Sequence, residues 1–440
     1  MPKLNADLKP YRLVQPAFVR GQSCRCRAAG RRRFPPGQLF VPLVAERDGH
    51  QFIGAALAAG ASSYLTQGPI EAGTAIRVQD TGAALTALGR WARSRIDGEV
   101  VGVTGSVGKT SLKDLLAAVA STTWVAHASV GSFNNELGVP LTLLGAPDDT
   151  RFVVVEMGAR GQGHIAELCE TARPTVGVVT VVAGAHLEQF GSLEGVARAK
   201  GELVEALGPR GLAVLNADDA LVAAMAARTA AEVITFGRTG GEVRAVALTV
   251  GDDLRARFTL ESPWGRTEVH LGVAGEHQVT NALGAAAAAL ARGAEPDAVA
   301  AGLAGASLST GRMHLRTAPD GTRVLDDSYN ANPTSMAAAL RALAALPAAR
   351  KVAVLGTMAE LGDSAEEGHA TIAELASELG IAVVAVDEAR YGPSVKPVKT
   401  PAEAIEALAA AGATGPDAAV LVKASRAARL ERVVTLMMQC

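Results

Sequence analysis

Apolar positions along the chain fall into two alternating rhythms. Short β-branched runs at 100–103, 152–156, 176–182 and 212–215 read as buried strands, and apolar residues recur at helical spacing between them. Such alternation predicts a mostly parallel sheet with helices on both faces. From 233 to 273 the rhythm changes to short alternating strands with Gly-rich turns, which predicts antiparallel pairing. The Ala-rich stretch 279–291 then reads as a buried helix. A third region starts near Gly311. Strands are predicted at 324–325, 352–355, 383–386 and 420–422, and helices at 333–346, 364–379, 402–411 and 427–437. This is a second doubly wound unit without a phosphate loop of its own. The first region is less regular, with a strand at 39–43, a helix at 51–59 closed by Gly60, a strand at 63–65 and a helix at 83–96. The fold class is α/β in three domains: 1–96, 97–311 and 312–440.

The end of the first central strand carries the strongest chemical signal. Thr104-Gly105-Ser106-Val107-Gly108-Lys109-Thr110-Ser111 lies between an apolar run and a helical pattern. Glycines there leave room for backbone N–H groups to face an anion, and the helix start adds partial positive charge. Lys109 would reach terminal phosphates and the Thr110 hydroxyl would sit on Mg²⁺. The strict Walker spacing would need glycine at 103, where Val103 stands. An ordinary turn with a chance Lys-Thr is the alternative; the flanking strand and helix argue against it.

Size and composition narrow the class. A chain of 440 residues exceeds one ordinary domain. Its hydrophobic content of 49% allows large cores, although much of it is alanine. A formal net charge of −2 argues against general nucleic-acid binding. No apolar run reaches membrane-spanning length, and the start lacks a signal-peptide core, so a cytoplasmic protein without membrane insertion is expected. The 4 cysteines, Cys24, Cys26, Cys169 and Cys440, form neither disulfide nor zinc spacing, and Cys169 reads as core packing. Between 22 and 37, Arg25, Arg27, Arg31, Arg32 and Arg33 form either an anion-binding strip or a solvated arm.

Strand ends supply the remaining candidates. Glu156 ends an apolar strand and is read as a Mg²⁺ ligand beside Thr110, with capping or an ion pair as the bland reading. His186 follows the next strand. Lys200, in a helical stretch, reads as a surface lysine from its own segment. Asn134 and Asn135 precede a helix start and could cap it or grip a substrate. Asn281 opens the Ala-rich helix and could read adenine or cap the helix. Arg312 stands at the inferred hinge, where a guanidinium could stabilise a transferring phosphoryl group. Asp327 could accept bonds from ribose hydroxyls.

From about Pro36 onward, T-G-S-V-G-K-T at Thr104, F-N-N-E-L-G-V-P at Phe133, V-V-E-M-G-A-R at Val154, A-H-L-E-Q-F-G-S at Ala185 and A-R-A-K-G-E at Ala197 appear in order. They continue with G-E-H-Q-V-T-N-A at Gly275, D-D-S-Y-N-A-N-P at Asp326, L-G-T-M-A-E-L-G at Leu355 and V-K-A-S-R-A-A-R at Val422. In these motifs the chain resembles the ATP-dependent Mur ligases, and within them the MurF type. The segment 1–34 does not carry the resemblance. Ala424 stands where the family pattern has glycine, which matters only if φ is positive there.

The resemblance implies a UDP-substrate domain, an ATPase domain and a Rossmann-like C-terminal domain. It implies a cytoplasmic enzyme of peptidoglycan precursor synthesis, working as a monomer. It would join UDP-N-acetylmuramoyl-tripeptide to D-alanyl-D-alanine through an acyl phosphate. By match of motif, ATP phosphates and Mg²⁺ fall to Thr104, Gly105, Ser106, Val107, Gly108, Lys109, Thr110 and Ser111. Glu156 would hold a first Mg²⁺ and His186 a second, helped by Lys200 as a carbamate. Asn281 and Asp327 match adenine and ribose contacts, and Arg312 the arginine near the γ-phosphate. Asn134, Asn135, Tyr329, Asn330, Asn332, Lys423 and Ser425 are the candidates for holding the peptide substrates. A ligase for folate or another peptide, and a nucleotide-binding protein that has lost ligation, are the competing readings.

Overall fold

The computed structural model describes residues 12–13, 38–45, 47–70, 72–184 and 190–439. The expectations placed on the basic strip at 22–37, on Cys24, Cys26 and Cys440, and on His186 concern residues outside that description wholly or, for the strip, up to 37.

Three sheets organise the described chain. The central one has nine strands, in spatial order Gly265–Ala274, Arg255–Ser262, Val243–Val250, Glu232–Gly237, Leu212–Asn216, Val176–Val179, Glu99–Thr104, Phe152–Glu156 and Ala126–Ala128. The last six pair in parallel. The chain winds to one side of Glu99–Thr104 and then to the other, so that strand lies at the topological switch point, where such sheets open a crevice. Register sets Val103 beside Glu156 and Thr104 beside Val179. Three carboxyl ends therefore open on one edge.

Both sheet faces are covered, which is why these strands are continuous apolar runs rather than alternating ones. On one face the helices Lys109–Ala120 and Gln278–Leu290 pack Leu112, Leu116 and Leu283 against Val178 and Val214. On the other, His164–Ala172 and Leu193–Glu205 pack Ile165 and Leu203 with Val153 and Val155. Alanine here serves close approach. Ala285 to Ala289 are all fully buried, and a Cβ on Gly284 would come 2.7 Å from Leu112 Cδ1.

The structure corrects several sequence expectations. The strand expected over 176–182 leaves the sheet after Val179, and the Val181 carbonyl instead accepts the Ser106 N–H at 2.7 Å. In the stretch 233–273, Glu232–Gly237 extends the parallel sheet; only the three following strands pair antiparallel with one another. The helix expected at 51–59 is a 3-10 turn, Gly49–Phe52, followed by the helix Ile53–Ala58. The helix expected at 427–437 divides at Arg429, whose φ is 54°.

The C-terminal sheet runs His314–Thr317, Arg323–Asp326, Ala418–Lys423, Arg350–Leu355 and Ala382–Ala385, all parallel except the first strand. Helices Pro333–Ala345 and Ala365–Glu378 share one core with it, and Pro401–Ala410 and Glu431–Met437 the other. The small N-terminal sheet is parallel, Arg12–Leu13, Gln38–Phe40, Ser63–Thr66 and Ala75–Arg77. Its exit helix, Thr81–Arg95, docks on the central domain, where a Cβ on Gly89 would meet Pro140 Cβ at 2.7 Å. Among the described residues no helix is long and apolar enough to cross a membrane.

Candidate functional site

The loop after Glu99–Thr104 is built so that only glycine fits at two positions. Gly105 has φ 143° and Gly108 φ 86°. A Cβ on Gly105 would lie 1.9 Å from Thr180 Oγ1, and one on Gly108 would lie 2.4 Å from Asn281 Oδ1. Neighbours hold the loop: Thr180 Oγ1 donates to the Val107 carbonyl at 2.5 Å, and Ser106 Oγ to the Ala183 carbonyl at 3.0 Å. Gly108 precedes the helix Lys109–Ala120 without a side-chain cap. The N–H groups of the first turn thus belong to a preformed anion cradle.

Glu156 is 1% exposed and fully committed. Thr110 Oγ1 donates to its Oε2 at 2.8 Å and Asn134 Nδ2 to its Oε1 at 2.8 Å. A buried carboxylate bonded to the first-turn threonine of a phosphate loop offers the hard oxygens that Mg²⁺ takes, with phosphates and water completing its shell. Among the described residues no group of three or more His, Cys, Asp or Glu gathers as a metal cage. The donor set fits an ion shared with a phosphate, not one held by protein alone.

Three cations from distant segments converge on the loop. Lys109 Nζ donates to the carbonyls of Gly105 at 2.7 Å and Ser106 at 3.2 Å. Burial holds its ammonium below the ordinary range; Glu156 and Glu360 oppose this and Arg312 adds to it. Lys200 is only 3% exposed, which overturns its reading as a surface lysine. Its Nζ lies 5.8 Å from the Phe190 ring centre. Burial, reinforced by the Lys109 charge, pushes Lys200 down to about 7. Arg312 stacks on Tyr329 at 4.4 Å, and its buried Nε makes no hydrogen bond.

The C-terminal residues meet this group across the domain boundary. Tyr329 touches the Ser132 hydroxyl of the central domain through its own hydroxyl. Asp327 pairs with Lys423 and accepts the Met313 N–H at 3.1 Å. Lys423 also donates to the Asn330 carbonyl at 2.8 Å. Ser425 Oγ accepts the Ala359 N–H at 2.8 Å. His277 is held below its ordinary range by burial, with Asp327 opposing and Lys423 reinforcing.

Other candidates have structural work. Asn332 caps Pro333–Ala345 in a capping box with Ser335, and Asn135 Oδ1 accepts the Gly138 N–H at 3.0 Å. Asn281 lies inside the helix Gln278–Leu290 rather than capping it, and donates to Gln278 Oε1 at 2.8 Å. Ala424 has no positive φ, and its methyl fills the space over Gly356, where an added Cβ would approach to 2.9 Å.

Sequence reasoning missed Lys113 and Asp114. Lys113 Nζ is buried, donating to the carbonyls of Ser129 at 2.8 Å and Gly131 at 3.0 Å, and pairs with Asp114 at 2.6 Å. Asp114 accepts the Ser309 N–H at 2.7 Å, and Ser129 Oγ accepts the Glu156 N–H at 3.1 Å. The pair thus ties the phosphate-loop helix to the Glu156 strand and to the segment before the hinge. Two adjacent charges in an otherwise apolar helical stretch were the available signal.

Comparison with known proteins assigns this architecture. The profile of the Mur ligase middle domain matches residues 103–289, and that of the Mur ligase glutamate ligase domain matches 311–426. A UDP-N-acetylmuramoyl-tripeptide–D-alanyl-D-alanine ligase of Mycobacterium tuberculosis is 45% identical over 386 residues, covering 81% of this chain and 76% of its own. The crystal structure of MurF from Acinetobacter baumannii superposes with a TM-score of 0.83 at 33% identity, covering 93% of this chain and 92% of that one. The MurF ligase from Thermotoga maritima, solved in complex with ADP, superposes with a TM-score of 0.83 at 28% identity over 98% of both chains. The chain belongs to the Mur ligase family.

Proposed function

We infer that this protein is an ATP-dependent ligase that adds D-alanyl-D-alanine to UDP-N-acetylmuramoyl-tripeptide in peptidoglycan precursor synthesis. The relatives that span most of its length carry that activity in their names. One observation of the molecule itself carries the reading. Lys109, Lys200 and Arg312 crowd around one Gly-rich loop, where the Arg312 charge adds to the lowering of Lys109 and the Lys109 charge to the lowering of Lys200. Like charges gathered in a buried site are unfavourable unless a polyanion is bound there.

The roles follow the chemistry of each group. The loop from Thr104 to Ser111 cradles the ATP phosphates, with Lys109 on the terminal ones. Arg312 spreads the charge of the transferring phosphoryl group, a role for donors that hold no protein partner. Mg²⁺ between Thr110, Glu156 and the phosphates would supply positive charge against the same developing charge. Asn281, against the loop, and Asp327 serve the adenosine. Lys423, Ser425, Tyr329 and Asn330 line the side from which the dipeptide enters. The peptide carboxylate attacks the γ-phosphorus of ATP, ADP leaves, and the amine displaces phosphate from the acyl phosphate. The Tyr329–Ser132 contact helps close the domains over that water-sensitive intermediate. We assign the nucleotide sugar to the part before residue 97 and the dipeptide to the part after residue 311.

Lys200 has the chemistry for a carbamate. At about 7, half its amines are neutral near pH 7, and a neutral amine adds CO₂ to give a carboxylate. With His186 it would complete a second Mg²⁺ position. The test is ADP release and product mass with each substrate omitted in turn. Release that needs both UDP-N-acetylmuramoyl-tripeptide and D-alanyl-D-alanine, with an amide product, is expected. ADP release indifferent to the dipeptide, without amide, refutes the ligase.

A further inference from the structure

The Lys113–Asp114 pair lies inside the phosphate-loop helix, yet it has no part in the chemistry described so far. Lys113 is 2% exposed, and its neighbours Leu112, Leu115 and Leu116 are fully buried. Apolar side chains would suit such surroundings. A buried ion pair adds little stability over apolar residues of similar volume, because desolvation offsets the attraction. What it adds is direction, since each buried donor and acceptor must be met.

The ammonium of Lys113 donates to the carbonyls of Ser129 at 2.8 Å and Gly131 at 3.0 Å, and its third bond goes to Asp114 Oδ1 at 2.6 Å. Asp114 Oδ2 accepts the Ser309 N–H at 2.7 Å. From these two anchors the chain runs a short way to one ring. Gly131 is followed by Ser132, whose hydroxyl touches that of Tyr329. Shortly after Ser309 comes Gly311, whose carbonyl accepts the Tyr329 N–H at 3.0 Å, and then Arg312, whose guanidinium stacks on the Tyr329 ring at 4.4 Å. Gly311 has φ 73°, and a Cβ on it would lie 3.1 Å from the Tyr329 nitrogen, so the two backbones meet closely. One pair in the central domain thus anchors both segments that hold Tyr329. Arg312 has little else to aim it. Its buried Nε has no hydrogen-bond partner among the described residues. Its direction comes from the backbone behind it and the ring beside it, and both lead back to Lys113 and Asp114.

We propose that Lys113 and Asp114 are positioning residues for phosphoryl transfer, which keep Arg312 aimed at the phosphate that the loop binds. This rests on the ligase reading above. The helix Lys109–Ala120 is the common frame. Its first turn faces the phosphates through Lys109 and Thr110, and its next residues, through the pair, set Arg312 and Tyr329. Thr110 Oγ1 donates to Glu156, and the Glu156 N–H donates to Ser129 Oγ at 3.1 Å. Phosphate loop, buried carboxylate and arginine therefore share one reference. Neither Lys113 nor Asp114 touches the reacting atoms. Their effect falls on turnover, where a guanidinium displaced by about 1 Å costs about 100-fold, and not on nucleotide affinity.

Two double variants test this without leaving a buried charge unpaired. Lys113→Met with Asp114→Leu removes both anchors. Lys113→Met with Asp114→Asn keeps an amide oxygen for the Ser309 N–H. Each is assayed for ADP affinity by calorimetry and for amide formation from ATP, UDP-N-acetylmuramoyl-tripeptide and D-alanyl-D-alanine. The leucine variant is expected to lose about 100-fold in kcat while its ADP affinity stays within about threefold of wild type. The asparagine variant is expected to recover at least about fivefold of that loss, because it restores the hinge anchor alone. In an Arg312→Ala background the leucine variant should cost less than about threefold more, since the residue it positions is gone. The full loss repeated in that background, a kcat within about threefold of wild type, or an ADP affinity that falls as far as kcat overturns the proposal. Should the leucine variant not fold, the asparagine variant must itself lose at least about fivefold in kcat, and a loss that persists beside Arg312→Ala overturns the proposal. Wild-type protein that makes no amide would instead strike at the ligase reading itself.

Discussion

Replacing Lys200 with methionine should stabilise the protein near neutral pH and abolish its activity. Lys200 sits at about 7 in the folded chain against 10.5 for an ordinary lysine, chiefly because burial disfavours its charge and secondly because Lys109 repels it. At 3% exposure, solvent screens little of this. The sign follows from proton counts. Between pH 7 and 10.5 the unfolded chain binds more protons at this residue than the folded one, so stability rises with pH across that window. Below about 7 both states are protonated and the full cost is present, about 5 kcal/mol. Near pH 7 about 4 kcal/mol of it remains, and near pH 9 about 2 kcal/mol. Methionine keeps the stem packing on Phe190 without the charge.

The assay is urea unfolding of wild-type and Lys200→Met proteins at pH 7 and pH 9, in buffers purged of bicarbonate. The difference in unfolding free energy should favour the variant at pH 7 and narrow by about 2 kcal/mol at pH 9. Restoring bicarbonate should shift the wild type alone, and a ¹³C-bicarbonate carbamate signal should appear in the wild type alone. A difference that stays flat from pH 7 to 9 would mean that Lys200 titrates as an ordinary lysine. The buried-amine argument would then fail, and with it the neutral nucleophile on which carbamate formation depends.

Other sites give sharper local tests. Gly108→Ala forces a left-handed φ on alanine and drives a Cβ into Asn281, so nucleotide binding by calorimetry should weaken by about 2–3 kcal/mol, with the Asn281→Ala double variant recovering the steric part. Gly356→Ala should lower the melting temperature because its Cβ meets that of Ala424 at 2.9 Å, and exchanging the two residues should restore at least half of about 2 kcal/mol. Cys169, pushed up to about 12 by burial and then by Glu202, should be alkylated at pH 8 at least about 1000-fold more slowly than a free thiol until urea unfolds the chain; ordinary labelling of its peptide in the native protein would contradict the buried placement.

What could be read from the chain alone follows from how far each signal reaches along it. Glu156 was legible because an apolar run ending in a carboxylate is a local pattern, and a parallel sheet turns that pattern into a position beside the loop. Lys200 was not, since its helix carries Arg198 and Glu202 nearby and its burial comes from Phe190 and the sheet behind it. Asn135 and Asn332 invite a functional reading, yet each answers a backbone N–H three residues on, which is an equally local demand. The stretch 180–182 reads as strand, but the Val181 carbonyl accepts the Ser106 N–H of the phosphate loop instead of a neighbouring strand. Ala424 shows the same limit from the other direction. Against a one-dimensional pattern it is an oddity, and against Gly356 it is half of a complementary pair. The cation cluster is the extreme case. Lys109 and Arg312 each stand out in their own segments and Lys200 does not; only the fold brings the Arg312 charge to bear on Lys109 and the Lys109 charge on Lys200, and so reveals a site that needs a polyanion. A motif can therefore nominate a phosphate loop, whereas the charge it must balance is a property of the folded sheet edge.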